Sequence, residues 1–104
     1  MPFKIGHGVD THQLEAGCDL IIGGVNIPFH KGSKGHSDGD VLYHAIVDAL
    51  LGATALGDIG YHFPSSDAQW KDANSEKFLS HAFSLVSDKG YIISNIDSTI
   101  LLQA

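Results

Sequence analysis

The sequence predicts an α+β fold, a mixed β-sheet with helices packed on one face, and three observations carry that prediction. The chain opens on an alternating glycine and apolar segment. A Gly23-Gly24 pair then sits between two short β-branched runs. Two stretches of helical apolar spacing follow, and β-type alternation closes the chain. With 104 residues and neither an internal repeat nor a linker, residues 1–104 form a single domain.

Residues 4–12 read as the first strand. Period-two geometry puts Gly6, Gly8, Asp10 and His12 on one face and Ile5, His7, Val9 and Thr11 on the other. Glycines on the face of Asp10 and His12 let another backbone, or a bulky ligand, approach closely. Residues 13–18 read as a surface turn. Leu20 to Pro28 read as a hairpin, because a two-residue Gly-Gly turn matches the twist of flanking strands. His30 to Gly39, rich in Gly, Ser and Lys, reads as a loop. A helix follows, with Val41, Leu42, Ala45, Ile46, Ala49 and Leu50 on its apolar stripe and Ser37 or Asp38 as N-cap. It ends at Gly52 or runs on to Gly57. Asp58 to Asp67 show no apolar period and read as a loop. A second helix starts near Asn74 or Ser75, with Phe78, Leu79, Ala82, Phe83 and Val86 on one stripe and Gly90 as its stop. Tyr91 to Ala104 alternate as a strand.

Twelve acidic residues oppose six basic ones, all lysine, for a net charge of −6. That balance argues against nucleic acid, whose binding rests on cationic contacts to phosphate. Without arginine, no guanidinium fork is available to clamp an anion. An anionic substrate would fall to metal ions, helix N-termini and backbone amides. No apolar run approaches the roughly 20 residues of a membrane span, and the N-terminus lacks a signal-peptide core. A single cysteine, Cys18, excludes an internal disulfide and fits a reducing cytoplasm.

The chemistry concentrates in Asp10-Thr11-His12 and in His44. Alternate strand residues place the Asp10 and His12 side chains about 7 Å apart on one face, a spacing that suits two ligands of one ion. One carboxylate and two imidazoles would leave a tetrahedral Zn2+ one open position. Asp40 and Asp48 lie four residues to either side of His44, where either carboxylate could accept the distal ring N–H and orient the imidazole. Asp-x-His alone is a weak signal, and the same residues also fit strand-edge polar positions and a hydrogen-bonded core histidine. His36-Ser37-Asp38-Gly39-Asp40 opens a helix. It fits either an anion site, with His36 stabilising charge on a transferring phosphoryl group, or an ordinary helix cap. Asp58-Ile59-Gly60 fits either a hydroxyl-binding carboxylate or a turn acid.

Taken together, Gly6-His7-Gly8-Val9-Asp10-Thr11-His12, Ile21 to Pro28, His36-Ser37-Asp38-Gly39-Asp40, Asp48 to Ala53 and Gly57-Asp58-Ile59-Gly60 resemble the 2-C-methyl-D-erythritol 2,4-cyclodiphosphate synthase family. The resemblance implies a homotrimer with active sites between subunits, and Zn2+ held by Asp10, His12 and His44. It implies cyclisation of 4-diphosphocytidyl-2-C-methyl-D-erythritol 2-phosphate with release of CMP, in non-mevalonate isoprenoid biosynthesis. Asp10, His12, His36 and Ser37 would contact the methylerythritol phosphate, with His36 the catalytic residue. Asp58, Ile59 and Gly60 would meet hydroxyls, and the Phe63 to Asp67 loop, including Ser65, would close over the substrate. Leu102, Gln103 and Ala104 would begin a cytosine pocket, and a second ion, Mg2+ or Mn2+, would join the diphosphate. By the same resemblance the chain corresponds to the N-terminal two-thirds of such a domain. A metal- and phosphate-binding module without turnover and a zinc-dependent phosphohydrolase are the alternatives.

Overall fold

The computed structural model describes residues 3–33, 40–64 and 74–103. Among these residues eight elements follow one another: β1 (Asp10–Ala16), β2 (Leu20–Ile22), β3 (Val25–Ile27), β4 (Lys31–Ser33), α1 (Val41–Ala53), α2 (Ile59–His62), α3 (Ser75–Asp88) and β5 (Ile100–Gln103). The main sheet has the order β4-β1-β5. β1 runs antiparallel to β4 and parallel to β5, so the sheet is mixed as expected.

The expected first strand is displaced. Residues 4–9 carry the alternating pattern, yet β1 begins at Asp10 and continues through residues 13–16, which had read as a turn. Ladder partners decide this. β5 pairs with Asp10 to Gln13 and β4 with Leu14 to Ala16. The same reason shortens the last strand, because among the described residues only 100–103 of the alternating tail find a ladder partner. The short β4 lies within the stretch that read as a loop.

The hairpin is where the Gly-Gly pair puts it. β2 and β3 pair with Ile22 opposite Val25. Gly23 and Gly24 take φ of +61° and +79°, the left-handed values that a two-residue turn demands and that side chains disfavour.

The cap of helix α1 lies two to three residues beyond the expected Ser37 or Asp38. Asp40 is the N-cap, its carboxylate accepting the Tyr43 N–H. The same carboxylate accepts the N–H groups of Gly23 (3.0 Å) and Gly24 (2.7 Å). A fully buried anion thus satisfies three backbone donors and pins the hairpin turn to the helix start. α1 passes Gly52 and stops at Ala53, where the capping Thr54 returns its hydroxyl to the Leu50 carbonyl. Residues 59–62, expected as loop, form the single turn α2, capped by Asp58.

α3 begins behind an Asn74 cap, as the sequence indicated. Phe78, Ala82 and Val86 of its stripe are buried, whereas Phe83 remains 51% exposed at the edge of that stripe. The core lies between the helices, formed by Val47 and Leu51 of α1, Phe63, and Phe78 and Ala82 of α3. Phe63 stacks on Phe78 with ring centroids 4.5 Å apart.

Candidate metal centre

Two glycines set the distance between sheet and helix. A Cβ on Gly8 would collide with the Ala45 carbonyl oxygen and sit 2.8 Å from the Ala49 nitrogen. One on Gly6 would collide with the Ala49 carbonyl oxygen. The chain entering β1 therefore lies directly on the backbone of α1, as alternation with glycine on the Asp10 face had suggested. His44, one residue before Ala45, is carried to the same junction.

Asp10, His12 and His44 converge there. Asp10 Oδ2 is 2.9 Å from His12 Nδ1 and 3.3 Å from His44 Nδ1. One ligand atom from each residue lies within 4.8 Å of the other two. The imidazoles face each other with centroids 5.4 Å apart at 49°. Asp10 Oδ2 and His12 Nδ1 are both buried, and neither makes a hydrogen bond among the described residues. Their short approach is thus off the line a hydrogen bond needs. Orphaned buried polar atoms cost about 1–3 kcal/mol each. A cation between the three groups would satisfy them together, and the donor set, one carboxylate with two imidazoles, suits a borderline divalent ion. The residues present fit the metal.

Electrostatics favour the same ion. Burial works to raise the Asp10 carboxyl, but its contacts with the His12 and His44 imidazoles prevail, lowering it to about 2. Asp10 is therefore an anion over the whole neutral range.

The carboxylates expected to orient His44 are engaged elsewhere. Asp40 caps α1 and holds the hairpin, and Asp48 accepts the Ile59 N–H at 2.7 Å. Burial, with the Asp58 charge adding to it, pushes the Asp48 carboxyl up against the lowering effect of that bond. The group at the distal nitrogen is instead Ser75, whose Oγ lies 2.8 Å from His44 Nε2. Sequence reasoning did not reach Ser75. The one available signal was a serine just behind an asparagine cap, where its hydroxyl is not needed for capping.

The remaining expected residues divide into three groups. Leu102 pairs with His12 across β1 and β5, and Gln103 with Gln13, so the start of the expected base pocket borders the centre. Asp58 is exposed and takes the Tyr61 N–H at 2.8 Å, while Ile59 is half-buried and Gly60 exposed. Phe63 is only 6% exposed, its ring in the core rather than on a substrate-facing loop. His36, Ser37, Ser65, Asp67 and Ala104 lie outside the described residues.

Fold and cluster define a class: an α+β domain with a candidate three-ligand metal centre where a mixed sheet meets a helix. Within that class the chain belongs to the YgbB family, whose model matches residues 3–104. A 2-C-methyl-D-erythritol 2,4-cyclodiphosphate synthase from Geobacter metallireducens is 56% identical over 100 residues, covering 96% of this chain. This chain spans 64% of that relative's length. A solved 2C-methyl-D-erythritol-2,4-cyclodiphosphate synthase superposes with a TM-score of 0.78 at 49% identity, over 83% of this chain and 57% of its own. The IspF protein of Plasmodium falciparum, solved as a CDP complex, gives 0.71 at 40% identity, over 88% of this chain and 55% of its own. No helix among the described residues is long and apolar enough to cross a membrane.

Proposed function

We propose that this chain carries the metal- and phosphate-handling part of a 2-C-methyl-D-erythritol 2,4-cyclodiphosphate synthase, with Asp10, His12 and His44 holding Zn2+. The observation that carries the reading is the meeting of these three donors in a chain 56% identical to a protein of that name. The substrate would be 4-diphosphocytidyl-2-C-methyl-D-erythritol 2-phosphate. A 2-phosphate oxygen bonds to the β-phosphorus, the bond from that phosphorus to the bridging oxygen breaks, and CMP leaves with that oxygen. The nucleophile belongs to the substrate, so no serine or cysteine of the protein need attack, and positioning is the main task. Bound at the three donors, the ion supplies Lewis-acid polarisation and orientation of phosphoryl oxygens.

The chain's own residues do the rest. Asp10 stays ionised and gives the centre its negative charge, and both histidines serve as neutral donors. His36, with Ser37 beside it, would stabilise the charge that develops on the transferring phosphoryl group. Asp58, with Ile59 and Gly60, would meet the erythritol hydroxyls. Ser65 and Asp67 would belong to the segment that borders the substrate. Leu102, Gln103 and Ala104 would start the cytosine pocket, a role supported by the register of Leu102 with His12 and by the CDP complex of the Plasmodium falciparum relative. Mg2+ or Mn2+ would accompany the diphosphate. The complete assembly would be a cytoplasmic homotrimer with sites between subunits.

The chain's span, 64% of its relative's length, favours a second reading in which it binds metal and phosphate without turnover. Zinc titration followed by assay of CMP release separates the two. Phosphorus NMR of the product identifies a cyclic diphosphate, and a linear monophosphate would mark a hydrolase instead. His44→Ala should abolish zinc binding and keep α1 helical, since alanine is the strongest helix former. Unchanged zinc stoichiometry in that variant would defeat the proposal.

A further inference from the structure

We infer that Ser75 is a positioning residue for the metal centre, holding the His44 imidazole in the orientation that turns Nδ1 toward the ion. The inference rests on the metal reading above. Ser75 is the first residue of α3 and is fully buried. A hydroxyl at that place normally serves the helix end, but here Asn74 already caps it, its Oδ1 accepting the Glu76 N–H at 2.9 Å. Alanine would suit the helix better, and a buried hydroxyl is costly unless paired. The hydroxyl meets His44 Nε2 at 2.8 Å, across 31 residues of sequence.

The geometry assigns the proton. Nδ1 of His44 faces Asp10 Oδ2 and the point where the three donors meet. An ion there requires the Nδ1 lone pair, so the ring proton belongs on Nε2, where it donates to Ser75 Oγ. One turn further along α3, Phe78 sets its ring against the same imidazole, with centroids 5.9 Å apart at 38°. Ser75 and Phe78 share a helix face at i and i+3. The first turn of α3 therefore restrains both the edge and the face of His44, and outer partners of this kind orient metal-binding histidines.

The test uses the chain with Zn2+ and Co2+ as probes. With Zn2+ bound, the His44 ring-nitrogen chemical shifts of wild type should report a proton on Nε2. Ser75→Ala should shift those signals, weaken Zn2+ binding about 10–100-fold and shift the visible bands of the Co2+ form. Ser75→Thr, which restores the hydroxyl, should recover the bands and most of the affinity. Zn2+ binding by Ser75→Ala as tight as wild type, with unchanged Co2+ bands, would overturn the inference. So would a Zn2+-loaded wild type with the His44 proton on Nδ1, a measurement that needs no variant to fold. A wild-type chain that takes up no Zn2+ would strike the metal reading itself, while the response of the His44 ring-nitrogen shifts to Ser75→Ala would still decide the Ser75 contact.

Discussion

Gly8→Ala is the sharpest perturbation of the junction between sheet and helix. The added methyl would sit 2.8 Å from the Ala49 nitrogen, 3.0 Å from the Ala45 carbonyl carbon, and closer still to the Ala45 oxygen. All three are backbone atoms of a regular helix and cannot swing aside. Relief comes only if the chain entering β1 moves away from α1 by about an ångström or more, judged against ordinary van der Waals spacing. Overpacking of this kind costs about 1–3 kcal/mol. Site geometry tolerates only about 0.5 Å of displacement, and the shift separates Asp10 and His12 on one side from His44 on the other. We expect a lower urea midpoint and a loss of Zn2+ affinity of roughly tenfold or more, the latter read by chelator competition. Gly52→Ala, on the same helix, is the control. A Cβ there would sit 4.0 Å from the His7 carbonyl oxygen, an ordinary contact, so the variant should gain about 0.5–1 kcal/mol from helix propensity. A Gly8→Ala chain with wild-type stability and wild-type zinc affinity would refute the close-approach argument.

Two further outcomes follow from the charged groups. Asp40→Ala removes a helix cap, worth about 1 kcal/mol, together with the acceptor for the Gly23 and Gly24 N–H groups, and the bonds to a charged group contribute more than neutral ones. A loss of about 3 kcal/mol or more in urea unfolding is expected, and a loss near that of the cap alone would show that the hairpin does not depend on this anion. The Asp10 carboxyl, lowered from 3.8 to about 2, stabilises the folded chain above its unfolded value, and that contribution disappears as pH falls through the folded one. In chelator, wild type should therefore melt above Asp10→Asn at about pH 5, with the gap closing as pH drops from about 4 to about 2. A gap that stays constant over that range would show that the charge on Asp10 is not what stabilises it.

Local chemistry made some of this structure readable and hid the rest. The β2–β3 hairpin was legible because Gly-Gly between β-branched runs admits few other conformations. The start of α3 was legible because Asn74 stands directly before the apolar stripe. The start of α1 was misplaced because Ser37, Asp38 and Asp40 are all competent caps, and the choice of Asp40 goes with two donors from the hairpin 16 and 17 residues away. β1 slipped because alternation describes faces, whereas strand ends depend on which neighbour supplies hydrogen bonds. At the site, Asp10, His12 and His44 stood out as donor types at suggestive spacing. Ser75 did not, since a serine near a helix start has commoner uses and its partner is 31 residues distant. Asp40 and Asp48 were sound choices by helical spacing, and were lost to backbone donors that only the tertiary structure brings near.

The parallel ladder that sets Asp10 beside Ile100 has a consequence for biosynthesis. On a ribosome, Asp10, His12 and His44, with the helix that carries the third, emerge long before β5. Ser75 also leaves the exit tunnel ahead of that strand. Local docking of α1 against its glycine-lined partner can therefore gather the three side chains early, while the joining of β5 waits on a costly long-range closure. On the proposed metal reading, Zn2+ bound at that stage would hold β1 in place for β5 to find.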